Sequence, residues 1–320
     1  LGTDEECGSS DIRHYYSIEK EAPMTFSPDA EYPLVNTEKG RFPGHFTAGF
    51  EASDALPRLV SIKAGTKVNV VPGKAKAAVE GFEMVALEKA AAETKEETGI
   101  SFEFAAEGTV TEITATGIGA HASTPDVGNN ALTGLLVFLG KLDFASCPQV
   151  DMVRKTASLF PHGDVNGKTL GVAMEDELSG NLTLSFNMLS VDAASMDGEF
   201  DGRIPVCGND ENVLEVVRAR MAEQGLTLLN KALIPPHHVS ADSYFVKTLL
   251  AAFELYTGRK GECQALGGGT YVHHLENGVA FGAAMPETDN KMHGPDEFAV
   301  VDELLVSAKI FAQAIVDLCG

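Results

Sequence analysis

Four short segments hold the residues of this chain that could do chemistry: Asp4-Glu5-Glu6, Pro28-Asp29-Ala30-Glu31, Gly119-Ala-His121-Ala-Ser-Thr-Pro125 and Met292-His293-Gly-Pro-Asp-Glu297. Each places an Asp, Glu or His in a turn after an apolar stretch, where a rigid scaffold can present it. In the first, Leu1 and a Gly turn lead into carboxylates that stand side by side. Adjacent carboxylates repel, so a fold tolerates them at such a point chiefly when a cation or a proton neutralises one of them. One carboxylate could then ligate a metal while its neighbour serves as general base toward water. Oxygen and imidazole donors without thiolates suit catalytic zinc, manganese or cobalt with one position open. Taken singly, the same residues also fit a solvated acidic turn and structural or solvent-facing histidines.

The elements that must position them alternate between helix-like and strand-like. Ser10 to Glu21 is predicted helical, with Ser9, Ser10 and Asp11 as capping candidates. Phe26 to Pro33 reads as a turn into the apolar run Leu34-Val35. Leu59 to Val71 is expected to form two strands around the Gly65 turn, ended by Pro72. Gly81 to Glu97 is an Ala- and Glu-rich helix by its apolar spacing. Val110 to Gly119 is an alternating β-branched strand, and Asn129 to Leu142 has helical periodicity. Leu182 to Val191 and Gly198 to Val206 form a strand pair, followed by helices at Glu211 to Gln224 and Ser243 to Thr257. Beyond the turn Gly267-Gly268-Gly269 come a short buried strand, Val279 to Gly282, and a closing amphipathic helix, Val301 to Leu318. Such alternation predicts layered α/β domains.

With 320 residues the chain can bury a sizeable core and is expected to form two domains. Its 44% hydrophobic and 22% charged content is ordinary for a globular protein. The net charge of −22 argues against nucleic acid or anionic membrane as partner, since both need a basic surface. No apolar run approaches the roughly 18 residues of a membrane span. The five cysteines are widely spaced and form no CxxC pair. They argue against a thiolate zinc site, suggest a reducing cytoplasm as the compartment, and are expected to be small core residues for the most part.

Seven motifs occur in one order: Asp-Glu-Glu-Cys-Gly-Ser-Ser-Asp, Ser-Pro-Asp-Ala-Glu-Tyr-Pro, Asn69-Val-Val-Pro72, Gly-Ala-His-Ala-Ser-Thr-Pro, Gly-Arg203-Ile-Pro, Gly-Gly-Gly-Thr-Tyr271 and Met-His-Gly-Pro-Asp-Glu. Together they resemble the aminoacylase/carnosinase-type zinc exopeptidases, most closely the PepV-like Xaa-His dipeptidases, over essentially the whole chain. The resemblance implies two divalent metals, zinc with manganese or cobalt as alternatives. It makes Glu5 the general base that activates the water shared by them, Glu6 a ligand of one metal, Asp29 a ligand of the other, and His293 the second terminal ligand on the metal of Glu6. His121 matches a lid-domain histidine that stabilises the oxyanion. Asn69 and Arg203 match lid residues that contact substrate, and an Arg fork suits a C-terminal carboxylate. Gly267, Gly268 and Gly269 match a loop whose backbone amides approach that carboxylate without a Cβ in the way. A surface ion pair is the alternative for Arg203, and a flexible loop for the glycines.

The resemblance has a gap. In the family a His-x-Asp motif with a terminal metal ligand and the bridging aspartate lies upstream of the acidic turn. No His-x-Asp precedes the acidic turn in these 320 residues; the one that occurs, His162-Gly-Asp164, lies far downstream of it, and His237-His238 and His273-His274 lack the aspartate. The chain therefore reads as the later two-thirds of a longer enzyme, expected to bind metal weakly and hydrolyse little by itself. Residues 1–38 and about 236–320 are expected to form an incomplete three-layer α/β/α metal-binding domain, with 39–235 as an inserted α+β lid. A homodimer or a complementing N-terminal segment would cover the sheet edge and apolar surface so exposed. The activity expected of the parent enzyme is metal-dependent hydrolysis of dipeptides or short peptides. Alternatives are an N-acyl-amino-acid deacylase or carboxypeptidase of the same superfamily, and a non-catalytic interaction module.

Overall fold

In the computed structural model, which describes residues 4–5, 8–291 and 295–320, the chain divides into two units. One comprises 1–39, 177–179 and 236–320, and the other 40–176 and 180–235.

The first unit is organised around the strand Leu34–Glu38. It pairs in parallel with Cys263–Leu266 and antiparallel with His237–His238, and meets Gly278–Ala280 through Val35 and Ala280. Gly278–Ala280 in turn pairs in parallel with Thr25–Ser27. Successive side chains of a strand point to opposite faces, and here each face has its own core. Leu34 packs with Phe245, Val246, Leu249 and Phe253 of the helix Tyr244–Thr257 and with Ile310 and Ala314 of the helix Val301–Cys319. Val35 packs with Val272, Leu275 and Ala280, against which lies Tyr16 of the helix Ser10–Ile18. Helical layers thus flank the sheet on both sides. Ser243 caps Tyr244–Thr257 by accepting from the Val246 amide at 3.2 Å, and Gly258 ends it at φ +67°.

The helix Ser10–Ile18 stops short of Glu21 and is not capped as its sequence suggests. Ser9 has φ 55° and makes no side-chain cap. Instead the Asp4 carboxylate accepts from the Ser10 amide at 2.8 Å, so a residue of the acidic turn opens this helix.

The second unit contains an eight-stranded antiparallel sheet. Its order is Thr227–Leu228, Gly40–Gly49, Ser195–Ile204, Thr183–Val191, Arg58–Ala64, Lys74–Glu80, Val110–Thr116 and Ser101–Glu107. The helices Met84–Thr98, Ala131–Gly140, Pro148–Leu159 and Glu215–Glu223 contribute to one continuous core on it. Along Gly40–Gly49 and Ser195–Ile204 the residues Phe42, Phe46, Phe200 and Ile204 enter that core. Arg41, His45, Asp201 and Arg203 lie on the alternate face. Two glycines make room for two rings across this strand pair. Gly44 stands opposite Phe200 and Gly198 opposite Phe46, and a Cβ at either would come within 2.4 Å of the ring it faces. Larger residues at these positions would have to displace core aromatics.

Several elements differ from the sequence expectation. Gly40–Gly49, Lys74–Glu80, Ser101–Glu107 and Pro148–Leu159 carry no strong periodic signal; the first contains Pro43 and several glycines, which ordinarily mark loops. The segment expected as one helix from Glu211 opens with a π-helical turn, Asp210–Leu214, before Glu215–Glu223. The cysteines are also not chiefly core residues. Among the four described, Cys147 is buried, Cys263 half-buried, and Cys207 and Cys319 exposed, because the last two fall in a turn and at a helix terminus. Among the described residues no helix is long and apolar enough to cross a membrane.

Candidate active site

The acidic turn is held at every polar group of Asp4. Its amide donates to the Tyr271 hydroxyl at 3.0 Å and to Asp11 Oδ2 at 3.2 Å. Its carbonyl accepts from the Ser9 amide at 2.8 Å, and its carboxylate accepts from the Ser10 amide and hydroxyl. Glu5 follows directly, half-buried, its carbonyl accepting from Gly8 at 3.4 Å. Tyr271 closes the arrangement by donating to Asp11 Oδ2 at 2.8 Å. Burial, and then the nearby Asp11 and Asp4 carboxylates, hold the Tyr271 hydroxyl above its ordinary pKa. At neutral pH it therefore keeps the proton that it gives to Asp11. Glu6 lies outside the described residues.

The glycine loop is not a loose connector. Gly267, Gly268 and Gly269 leave the end of the strand Cys263–Leu266, and Thr270 caps the short 3-10 turn Tyr271–His274. Beneath the loop lies Glu38, whose side chain is 1% exposed. This carboxylate accepts from the Thr270 amide at 3.2 Å, the Thr270 hydroxyl at 2.8 Å and His273 Nδ1 at 2.8 Å. A carboxylate only accepts, so the network assigns a proton to His273 Nδ1. A Cβ on Gly269 would come within 3.3 Å of that ring nitrogen, so glycine lets the backbone lie close over the pair. The sequence reading gave no role to Glu38, His273 or Tyr271. The only local signal was a charged residue, Glu38, at the end of an apolar strand and a Tyr closing a glycine motif.

Asp29 is exposed in the turn between the strands Thr25–Ser27 and Ala30–Glu31. The turn is fastened where Ala30–Glu31 pairs in parallel with Ala283–Ala284 and the Ala30 amide donates to the Gly282 carbonyl at 2.8 Å. His293 lies outside the described residues. Among the described residues no three His, Cys, Asp or Glu converge to hold a metal. The donors expected here, carboxylates and one imidazole, chemically suit a divalent cation of the zinc, manganese or cobalt type. His237 and His238 serve the sheet: His237 Nε2 bonds the Gly278 carbonyl at 2.7 Å and His238 Nδ1 the Thr37 hydroxyl at 2.9 Å.

The remaining expected residues belong to the second unit, where two of them come together. Ala120–His121 pairs with Val70–Val71, and the Ala122 amide donates to the Asn69 carbonyl at 2.9 Å, placing Asn69 beside His121. Both side chains are at the surface. His121 Nδ1 accepts from the Ser123 amide at 3.2 Å and bonds the Ser123 hydroxyl at 2.7 Å. A ring nitrogen that accepts is unprotonated, so the neutral imidazole carries its proton on Nε2, a donor that could face a developing oxyanion. Arg203 is 4% exposed and gripped by Asp201, with Nε to Oδ1 at 2.6 Å and Nη2 to Oδ2 at 3.1 Å. Its ion pair is buried and bidentate, not a surface pair, because Asp201 and Arg203 share one face of a strand paired on both sides.

Two curated relatives match almost the whole chain. The "Putative dipeptidase YtjP" of Bacillus subtilis (strain 168) is 35% identical over 328 residues, covering 99% of this chain and 68% of its own length. The Beta-Ala-Xaa dipeptidase of Lactobacillus delbrueckii subsp. lactis is 32% identical over 319 residues, covering 99% and 67%. The chain belongs to the dipeptidase family of these two proteins, the PepV-like group that its motifs resemble. No family model matches it. Among solved structures, the aminoacylhistidine dipeptidase of Vibrio alginolyticus shares its fold, with a TM-score of 0.51 at 11% identity over 94% of this chain and 67% of that one.

Proposed function

We propose that the chain carries most of the active site of a metal-dependent dipeptidase acting on short peptides with a free amino terminus. Residues 1–38 and 236–320 form its metal-binding domain and 39–235 its lid. Glu6, Asp29 and His293 would hold the metals, with the remaining ligands in the part of the relatives' length that this chain does not cover. The His-x-Asp of the chain, His162-Gly-Asp164, lies in the lid range, where Thr133 and the amides of Lys168 and Thr169 engage it. When bound, zinc, manganese or cobalt would supply Lewis acidity, polarising the peptide carbonyl and making water more acidic. Glu5 takes the proton of the attacking water and passes it to the leaving amine. His121, through Nε2–H, stabilises the developing oxyanion. Asn69 and Arg203 would contact substrate from the lid, and the amides of Gly267, Gly268 and Gly269 would approach its C-terminal carboxylate. The observation that most supports this reading is the direct hydrogen bonding of Asp4, one residue before Glu5, to Tyr271 at the end of the glycine motif. Two segments that the resemblance makes base and anion loop meet in one structure. The free cysteines suit a reducing, cytoplasmic setting.

The test is a substrate panel on the whole protein that carries this chain: dipeptides, N-terminally blocked dipeptides, longer peptides and N-acyl-amino acids. Dipeptides with a free amino terminus are expected to be cleaved best. Chelation abolishes that activity, and zinc, manganese or cobalt restores it. The 320-residue chain alone is expected to be nearly inert. Preference for N-acyl-amino acids, or activity indifferent to chelation, contradicts the proposal; robust hydrolysis by the isolated chain contradicts the ligand assignment.

A further inference from the structure

Nothing in the chemistry above uses Tyr271, yet its hydroxyl ties the acidic turn to the end of the glycine motif. We propose that Tyr271 is a positioning residue for the general base: it clamps the backbone of Asp4 so that Glu5 is presented in one fixed orientation. The proposal rests on the reading of Glu5 as that base.

Three contacts form a closed triangle. The Asp4 amide donates to the Tyr271 hydroxyl at 3.0 Å, the hydroxyl donates to Asp11 Oδ2 at 2.8 Å, and the Asp4 amide reaches the same Asp11 oxygen at 3.2 Å. Asp11 is itself fixed, because it lies in the first turn of the helix Ser10–Ile18 and its Oδ1 accepts from the Ile12 amide at 2.8 Å. On the other side of Asp4, Ser9 and Ser10 take its carbonyl and carboxylate. A residue held at its amide, carbonyl and side chain leaves the next residue little backbone freedom. The clamp is anchored in turn through Thr270, which precedes Tyr271 and donates to the buried Glu38 carboxylate. Contacts therefore run from Glu38 through Thr270 and Tyr271 to Asp4 and Glu5. Without the hydroxyl, the Asp4 amide keeps only the longer bond to Asp11, and the carboxylate turn can swing. Misplacement of a catalytic group by even an ångström is costly in rate.

The experiment compares the whole protein with its Tyr271→Phe, Glu5→Gln and doubly substituted forms. Tyr271→Phe keeps the ring and is expected to lower kcat about tenfold or more while KM stays within about threefold, with bound metal unchanged. Asp11→Ala, which removes the acceptor of the hydroxyl, is expected to lower kcat in the same direction. In the Glu5→Gln background Tyr271→Phe is expected to cause no further loss, because the tyrosine acts only through Glu5. Wild-type kcat for Tyr271→Phe, or an equal additional loss in the Glu5→Gln background, overturns the proposal. Wild-type activity of Glu5→Gln itself would instead overturn the reading of Glu5.

Discussion

Glu5→Gln lowers kcat for dipeptide hydrolysis by about 10²–10⁴-fold, the usual contribution of a general base. The substitution is isosteric and removes the negative charge and with it the ability to take a proton. The bonds that shape the turn are made by Asp4, whose amide, carbonyl and carboxylate are engaged by Tyr271, Asp11, Ser9 and Ser10. The backbone carbonyl of Glu5 accepts from the Gly8 amide, a bond that the substitution leaves in place. The fold therefore survives, and KM should change little, since the groups proposed to hold substrate lie elsewhere. Bound metal should also be retained, because Glu6 and not Glu5 is the proposed ligand. Steady-state kinetics with metal analysis of the purified variant check this. A loss of activity that tracks loss of metal would move Glu5 from base to ligand, and unchanged kcat would remove it from the site.

The second large effect is on stability. Glu38→Ala is expected to cost about 3–5 kcal/mol, because it leaves three buried donors without an acceptor at about 1–3 kcal/mol each. Glu38 and His273 have side chains 1% and 3% exposed, and the carboxylate also accepts two bonds from Thr270. Removing it leaves an imidazole N–H, an amide and a hydroxyl together in a dry pocket without their acceptor. Glu38→Gln, which keeps an acceptor oxygen, should cost clearly less. Because Thr270 and His273 flank the turn on which the glycine loop rests, surviving Glu38→Ala protein should also show a raised KM. Urea titration followed by circular dichroism checks the first expectation and kinetics the second. A midpoint equal to that of the wild type would mean that the pair contributes little to folding.

What the sequence revealed and what it concealed divide along a physical line. Helices with strong apolar spacing, such as Ala131–Gly140 and Tyr244–Thr257, follow from local periodicity and lie close to their expected positions. Motif order carried the family and the layered architecture. Partnerships across long sequence separations did not show. Glu38 meets His273 across 235 positions and Tyr271 meets Asp11 across 260. No local pattern links such residues, and the paired histidines of 273–274 looked alike although one is buried against a carboxylate and the other exposed. The helix Ser10–Ile18 offered its own serines as caps, but the longer reach of Asp4 displaced them. Arg203 is instructive in another way. Asp201 stands two positions away in plain view, but only the neighbouring strands that bury their shared face turn the pair into a rigid bidentate clamp. The strand Gly40–Gly49 was hidden because its Gly44, loop-like in sequence, is the partner of Phe200.

The central claim is that the acidic turn, Asp29 and His293 converge on metal. Anomalous scattering at the zinc edge from crystals of the whole protein loaded with zinc tests it most directly. The account predicts zinc ligated by Glu6 and His293, a second zinc ligated by Asp29, and the Glu5 carboxylate beside them without being a ligand. Zinc held by other residues, or Glu5 itself bound to the metal, would contradict it.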